Sequence, residues 1–457
     1  EQNPKQWWKA MKELIERLYS FPASPSRKNL DIIAIDAMAP TVLPVDVKGK
    51  PLRNAIIWMD RRAMAEHRAI NESLNDLVFE IGGNRSDASN FAPKARWIKD
   101  KEPETYLKTA KFLSANGYFV RRLCGTDCLD ISQCGLSQLC ETPRGIWSET
   151  LIDRCGLDRE KLPEISECTD IVGTVSGIVA AEIGIEPGVK VIAGAMDNAA
   201  AVLGTGTIAD GSLNISAGTA SNVNLCTRVP HFTHSFLAYR HIAPGCWIHA
   251  GSVDYGGAGY KWFAGLLNEG DYGSLDARAQ AIRPGERPVV FLPYMVGQRA
   301  PLFNSRTRGV LFGMDPAMSD GELARAFMEG NAMGMRKVLA LMGEFGVEPR
   351  ACRLTGGCAR SSVYSQIIAD VLNLEIHRVG RSDSAALGAA MAGAKAAGYF
   401  DSYEEMIQAA AVSERHHPNP MLRMYYDELY HLFERLYHIL EPEFEALSSL
   451  TQNKELK

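Results

Sequence analysis

The sequence of 457 residues lacks long hydrophobic runs, blocks of like charge and closely spaced cysteine pairs. No apolar stretch approaches the roughly 20 residues that a membrane-spanning helix needs, so we expect no membrane partner. The 49 basic and 54 acidic side chains are interspersed and leave a net charge of −5, so we expect no nucleic-acid partner either. The length and composition indicate a globular protein with two or more domains.

The ten cysteines are scattered, and none forms the Cys-x-x-Cys pair of a zinc site. The densest group is Cys124, Cys128, Cys134 and Cys140. We therefore expect mostly buried thiols and no structural metal. Such thiols are typical of a reducing compartment, which predicts a cytoplasmic protein.

The most informative stretch runs from residue 191 to residue 225. The apolar run Val191–Ala193 predicts the end of a buried strand, Gly194–Asp197 a turn, and Asn198–Leu203 the start of a helix. Asp197 would then follow the carboxyl end of a strand, where α/β folds gather their ligands. The alternative is that Asp197 only caps the helix.

The second part of this stretch predicts a hairpin, with strands over Ser212–Ser216 and Ser221–Leu225. Gly218 in the turn lets backbone N–H groups approach a ligand closely, and the Thr219 hydroxyl adds a donor. Such a turn suits phosphate, although an ordinary hairpin turn has the same composition.

Two further strand ends carry an acidic residue. The runs Leu30–Ile35 and Ala55–Trp58 read as strands that end at Asp36 and Asp60. Asp60 could instead cap the helix that starts at Ala63, and the arginine pair after it could be solvated.

Several other elements follow from periodicity and capping residues. The predicted helices are Trp7–Tyr19, Pro93–Asp100 (with Pro93 at its first position), Pro103–Leu113, Leu323–Leu341, Ser384–Ala390 and Tyr425–Leu440, and Gly173–Ala180 reads as a strand. Gly256–Gly257 precedes another helix, and Gly356–Gly357 lies in a strand-to-helix turn. Each glycine pair could be an ordinary turn or a place where a nucleotide approaches the backbone.

The region around Asp197 resembles the centre of the FGGY family of carbohydrate kinases. Residues 51–62, 125–132, 291–313 and 353–372 are also similar to segments of that family. The resemblance implies an α/β, two-domain actin-like ATPase (ribonuclease H-like) fold with a nucleotide cleft between the domains. It implies a sugar-binding domain over 1–206 and a nucleotide-binding domain over 207–457.

The family reaction is transfer of the γ-phosphate of ATP to a hydroxyl of a sugar or polyol, with Mg²⁺. A ketopentose such as xylulose or ribulose is the expected acceptor. The resemblance makes Asp197 the general base and assigns no residue to metal. It places Asp60, Asn198, Asp130 (or Asp127) and Met38 at the sugar, and Gly218, Thr219, Gly257, Lys261, Gly356, Gly357 and Ser361 at ATP.

Two departures from the family pattern carry expectations of their own. The family opens with a hairpin carrying an Asp-x-Gly-Thr phosphate loop, and no such segment precedes Trp7. We therefore expect an N-terminally truncated kinase of weak or no activity. We also expect a homodimer. Ala39-Pro40 stands where glycerol kinases carry Arg-Glu and xylulokinases carry Met-His, which disfavours glycerol and leaves the sugar open.

The missing loop also supports an alternative: a non-catalytic pseudokinase or sugar-sensing relative that keeps the fold. A second alternative is another actin-like ATPase, such as a chaperone module. ATP hydrolysis that does not depend on sugar would identify an ATPase of this kind.

Overall fold

The computed structural model describes residues 1–452 except 23, 25, 350, 381, 382, 408, 409 and 411. The chain forms two compact units that alternate along the sequence. Unit 1 comprises the described residues of 1–208, 228–248 and 383–409, and unit 2 those of 209–227, 249–382 and 410–457. Two segments of the second half thus join unit 1, whereas the domain boundary at residue 206 stays a prediction.

The α-helices of the described residues follow in chain order. They are α1 Pro4–Ser20, α2 Met64–Gly82, α3 Phe91–Lys101, α4 Pro103–Lys108, α5 Ala115–Cys124, α6 Cys134–Ser137, α7 Glu149–Arg154, α8 Gly177–Ile183, α9 Asp197–Gly204, α10 Gly256–Leu266, α11 Tyr272–Ala281, α12 Asp320–Met342, α13 Ser362–Leu372, α14 Ser384–Ala397, α15 Tyr403–Ile407 and α16 Arg423–Gln452. No helix among these residues is long and apolar enough to cross a membrane.

The β-strands are mostly short and follow in the same order. They are β1 Ile32–Ile33, β2 Asp36–Ala37, β3 Leu43–Val45, β4 Lys111–Leu113, β5 Cys128–Asp130, β6 Cys140–Glu141, β7 Ile146–Trp147, β8 Glu164–Ser166, β9 Ile171–Thr174, β10 Lys190–Ile192, β11 Ala195–Met196, β12 Leu213–Ala217, β13 Ser221–Thr227, β14 Leu237–Arg240, β15 Trp247–Val253, β16 Val290–Leu292, β17 Val310–Phe312, β18 Ala351–Thr355, β19 Glu375–Val379 and β20 Val412–His416.

Unit 1 is built around a parallel pairing of β1 with β10, in which Ile32 lies opposite Lys190. β9 pairs antiparallel with the other edge of β10. Trp8, Val120 and Val191 belong to one buried apolar cluster, and burying side chains of this size stabilises a fold by about 1.5–3 kcal/mol each. β11 follows β10 after two residues, so this core also positions β11.

Unit 2 contains a larger mixed sheet, in which β15, β13, β12, β18, β19 and β20 lie side by side. β12 pairs antiparallel with β13 and parallel with β18. The long helix α12 begins with a capping box, because Ser319 Oγ accepts from the Glu322 backbone N–H and Glu322 accepts from Ser319 in return.

Most of the longer elements predicted from the sequence are confirmed. The helices around Trp7, Leu323 and Tyr425 form, the Ser384 helix is α14, and β12 and β13 form the predicted hairpin. Eight of the ten cysteines are buried, as expected.

Several element predictions are wrong. Ala55–Trp58 forms no strand, and only Ala55 and Ile56 take part in isolated bridges. The strand predicted over Gly173–Ala180 ends at Thr174, because Ser176 caps α8 by accepting from the Val179 N–H at 3.4 Å. The helix predicted to reach Leu113 ends at Lys108, because residues 111–113 pair with β3. Pro93 is the third residue of α3 and not the first. Residues 195–196 form β11 and are not part of a turn.

Candidate functional site

The candidate catalytic residue Asp197 lies where a short parallel strand pair ends. β11 pairs with β2, and Ala195 lies opposite Asp36. Asp197 is the first residue of α9, and the cap residue is Met196, which makes no side-chain cap bond. The capping alternative for Asp197 is therefore wrong. Its Oδ1 accepts from the Asn198 backbone N–H at 2.6 Å, which orients the carboxylate at the helix start.

The electrostatic surroundings make Asp197 a weaker acid than an ordinary aspartate. The pKa of Asp197 is raised to about 6: burial has the largest effect and raises it, the Asn198 N–H lowers it, and the negative charge of Asp36 raises it. The residue is exposed by surface area, so water still reaches a carboxyl group that the surrounding protein desolvates. A carboxylate of this kind is ionised at neutral pH and can still hold a proton, as a general base requires.

Asn198, the next predicted sugar contact, is half-buried on α9. Its Nδ2 donates to the Tyr239 hydroxyl, which fixes the side-chain amide. A side-chain amide carries a carbonyl acceptor and two N–H donors, the kinds of group that bind sugar hydroxyls.

Asp130 does not reach the surface, which corrects the prediction that it contacts sugar. The residue is 0% exposed. Its carboxylate accepts from Asn116 Nδ2 and Gln133 Nε2, both at 2.5 Å, and from Ser132 Oγ. Ser132 Oγ in turn accepts from the Met196 N–H at 3.0 Å. Asp130 therefore supports the backbone just before Asp197. The alternative residue, Asp127, is paired with Arg121 at 3.0 Å.

Asp60 is held in an ion pair with Arg62. Both carboxylate oxygens accept from the Arg62 guanidinium at 2.6–3.0 Å, and this hydrogen bonding lowers the pKa of Asp60. The cap of α2 is Ala63, so the capping alternative for Asp60 is wrong. Arg61 and Arg62 are both exposed, in agreement with the alternative of solvated arginines, and Arg61 pairs with Asp87 at 2.9 Å.

A buried lysine that was not predicted from the sequence binds the backbone near Met38 and Asp60. Lys94 on α3 is 0% exposed, and its Nζ donates to the Ile57 carbonyl at 2.8 Å and, at 3.5 Å, to the Pro40 carbonyl. Lys94 thereby connects the segments that carry Met38 and Asp60. A single lysine within the apolar start of α3 was the signal for it. Met38 itself is half-buried and lines an apolar groove of unit 1.

In unit 2, three glycine-containing loops from distant parts of the sequence converge. The Gly257 N–H donates to the Gly218 carbonyl at 3.0 Å, and the Ala258 N–H donates to the Thr219 carbonyl at 3.1 Å. A Cβ atom on Gly257 would overlap the Gly218 carbonyl oxygen, and one on Gly356 would overlap the Ala217 backbone. The packing therefore requires glycine, and it brings predicted ATP contacts from all three loops together.

The remaining predicted ATP residues differ in what they offer. Gly356 has φ +94°, a conformation that favours glycine, and Gly357 faces open space. Ser361 caps α13 by accepting from the Tyr364 N–H at 3.1 Å. Thr219 and Lys261 are exposed, and within the described part of the chain Lys261 forms no ion pair. Both can therefore reach an anionic ligand.

Among the described residues, no group of three or more metal-ligating side chains is placed to hold an ion. The roles of all these site residues stay predictions, because they rest on placement and chemistry.

Comparisons with known proteins assign the family. Models of the N-terminal and C-terminal domains of the FGGY family of carbohydrate kinases match residues 1–204 and 213–397. The xylulose kinase of Bacillus subtilis is 29% identical over 458 residues, which cover 99% of this chain and 91% of the relative. The gluconokinase of the same organism is 25% identical over 462 residues, covering 98% and 90%.

A solved structure agrees with this assignment. The crystal structure of a xyloylose kinase from Brucella ovis is 27% identical and superimposes with a TM-score of 0.89, covering 97% of this chain and 91% of that one. The match shows a two-domain actin-like ATPase fold. The chain belongs to the FGGY family of carbohydrate kinases, ATP-dependent phosphotransferases whose acceptor is an alcohol group of a sugar.

Proposed function

We propose that this chain transfers the γ-phosphate of ATP to a hydroxyl of a ketopentose, with Asp197 as the general base. The observation that carries the proposal is the position of Asp197 at the start of α9, with a pKa of about 6. The relatives described above are named as kinases, so we do not adopt the non-catalytic alternative.

In the proposed reaction Asp197 accepts the proton of the attacking hydroxyl. The hydroxyl oxygen forms a bond to the γ-phosphorus, and the bond from that phosphorus to the bridging oxygen of ADP breaks. A base whose pKa lies about one unit below neutral is mostly ionised and remains matched to proton transfer. Phosphoryl transfer otherwise depends on positioning and charge neutralisation, so a single base is sufficient.

The sugar contacts that we propose lie in unit 1. Asp60 stays ionised because Arg62 holds it, and an ionised carboxylate accepts hydrogen bonds from neighbouring hydroxyls. The Asn198 amide offers both a donor and an acceptor. Met38 supplies an apolar surface for carbon-bound hydrogens. Asp130 supports the Met196 backbone and touches no sugar in this proposal.

The nucleotide contacts that we propose lie in unit 2. The Thr219 hydroxyl and the Lys261 ammonium would bind phosphate, and Gly257, Gly356 and Gly357 would allow ATP to approach the backbone. Ser361 would contact the nucleoside from the start of α13. We propose that Mg²⁺ arrives with ATP as part of the substrate, and no side chain is assigned to it.

A neutral ketopentose fits unit 1 better than a sugar acid such as gluconate. Asp36, Asp60 and Asp197 would each repel the carboxylate of gluconate. The nearby Arg62 is already engaged by Asp60 and by Glu1 at 2.6 Å. Specificity often comes from such repulsion as well as from favourable contacts.

The test is steady-state ADP release with Mg·ATP and a panel of xylulose, ribulose, gluconate, glycerol and aldopentoses. We expect kcat/KM for one of the ketopentoses to exceed the values for gluconate and glycerol at least 100-fold. A preference for gluconate would contradict the proposed substrate but leave the kinase reaction in place. ATP hydrolysis that no sugar accelerates would contradict the reaction itself.

A further inference from the structure

Asp36 is an acidic residue at a strand end for which the family resemblance gives no role. It opens β2, which pairs in parallel with β11, the strand immediately before Asp197. In this pairing Asp36 lies opposite Ala195, two residues before Asp197, so the two acidic residues occupy neighbouring positions across the strand pair. Asp36 is half-buried, and Asp197 is the first residue after β11.

The charged groups that shift the pKa values of Asp36 and Asp197 are all negative. The negative charge of Asp36 acts on Asp197 and raises its pKa. Burial raises the pKa of Asp36 itself, and the charge of Asp383 adds to that effect. Asp383 caps α14, accepting from the Ala386 N–H at 3.1 Å. Within the described chain, no cation contributes to the pKa shift of Asp36 or of Asp197.

The other groups around Asp197 are neutral or already saturated with hydrogen bonds. The Asn198 amide and the Tyr239 hydroxyl, from α9 and β14, carry no charge at neutral pH. The buried Asp130 is surrounded by three hydrogen-bond donors. Asp36 is therefore the charge placed to act on Asp197.

We propose that Asp36 is a positioning residue of the phosphoryl-transfer reaction, which acts through its charge on Asp197 and sets the pH range in which that base works. This inference rests on the proposed function, because it takes Asp197 as the base. A second carboxylate near the base makes it hold the proton of the attacking hydroxyl more firmly. Two interacting carboxylates titrate as a coupled system, so the pH profile is the direct readout.

The test is the pH dependence of kcat for the full chain and for Asp36→Asn, from pH 4.5 to 8, at saturating Mg·ATP and the best ketopentose. Asparagine keeps the size and removes the charge. On the low-pH side of this profile, kcat falls as the base becomes protonated. We expect this acidic limb to lie at least half a pH unit lower in the variant. The activity at pH 5, relative to the plateau, should then rise at least twofold. The γ-phosphate of ATP titrates equally in both proteins, so only the difference between them is interpreted.

Two further variants complete the test. Asp383→Asn keeps the cap of α14 and removes a charge that acts on Asp36. Asp36 then ionises at lower pH, so the acidic limb should stay in place or move to higher pH. If Asp36→Asn does not fold, Asp36→Ser removes the same charge. An acidic limb that stays in place or moves to higher pH when Asp36 is replaced in a folded variant would overturn the inference.

A third variant separates this inference from the proposed function. Asp197→Asn should be inactive at every pH. If it is as active as the wild type, the assignment of the base fails, whatever Asp36→Asn does. If it is inactive while Asp36→Asn leaves the limb unmoved, only the inference about Asp36 fails.

Discussion

At the scale of single residues, the sugar-site segments of unit 1 depend on buried polar groups. Asp130 and Lys94 are both 0% exposed, and each connects separate segments through hydrogen bonds. A buried polar group costs free energy unless its partners are present, so such residues fix one arrangement of the chain. Neither residue touches sugar in the proposed function, yet both support residues that do.

Lys94→Met should change how stability depends on pH. Burial lowers the pKa of Lys94 to about 7 from its ordinary 10.5. Between these values the unfolded chain binds more protons than the folded one, so the free energy of unfolding rises with pH. The contribution is at most about 1.4 kcal/mol per pH unit. Methionine should abolish it.

The measurement is urea unfolding of both proteins at pH 7.5 and 9.5. We expect the wild type to gain about 2 kcal/mol more than Lys94→Met between these pH values. The loss of two hydrogen bonds lowers the stability of the variant at both pH values and therefore cancels from the comparison. Equal pH dependence in the two proteins would show that burial does not lower the pKa of Lys94 in the folded protein.

At the scale of elements, the packing of α9 on α14 determines where Asp197 lies. A Cβ atom on Gly204 would overlap the Ser384 carbonyl oxygen, and one on Gly388 would overlap the Ala200 carbonyl oxygen. The two helices therefore approach each other at glycine, backbone to backbone. Small residues in both helices indicated this packing in the sequence.

Gly204→Ala should lower the free energy of unfolding by at least about 2 kcal/mol, because the overlap forces the backbone to move. It should also lower kcat, since Asp197 is on the same helix. Gly177→Ala is the matched control in unit 1. Gly177 opens α8 and has open space around it, so alanine should leave stability unchanged or raise it by about 0.5–1 kcal/mol. Equal effects of the two substitutions in thermal unfolding would contradict this account.

Elements with a strong local signal could be predicted from the sequence, and those set by tertiary pairing could not. The hairpin of β12 and β13 has a glycine turn between apolar alternations, and α12 has a long apolar period. β11 has only two residues beside a glycine, so its pairing with β2 is visible only in three dimensions. For α8 a signal existed: Ser176 is a good cap, but the β-branched run before it favoured a strand.

Some residues of the candidate site could likewise be predicted from the sequence, and others could not. Asp197 and the glycine loops were identifiable because their residue types and spacing resemble a family. Asp383 and Lys94 were missed, since their importance lies in partners far away in the sequence. Asp130 was identified but given the wrong role, because burial cannot be read from a short acidic segment.

At the scale of the whole molecule, unit 1 has an apolar groove beside an edge strand. β1 is an edge strand, and beside it α1 and α14 line an apolar groove of about 840 Å³. Leu14 and Leu18 on α1 are 70% and 52% exposed. An uncovered strand edge next to exposed leucines favours self-association.

Replacing both leucines with glutamate should therefore reduce light scattering at high protein concentration and leave kcat unchanged. The matched control is Leu447→Glu with Leu450→Glu on α16, where both leucines are also exposed. If both double variants scatter light equally, the groove is not the cause. The homodimer expected from the sequence stays a prediction, and sedimentation velocity of the same proteins measures it.

The central claim is that this chain is a sugar kinase whose base is Asp197. The most direct measurement is sugar-dependent ADP release by the full chain and by Asp197→Asn, with the exposed Asp153→Asn of α7 as control. We predict release that a ketopentose stimulates, that Asp153→Asn retains, and that Asp197→Asn lowers at least 1,000-fold while ATP binding persists. Release that no sugar stimulates, or that Asp197→Asn retains at the wild-type rate, would contradict the account.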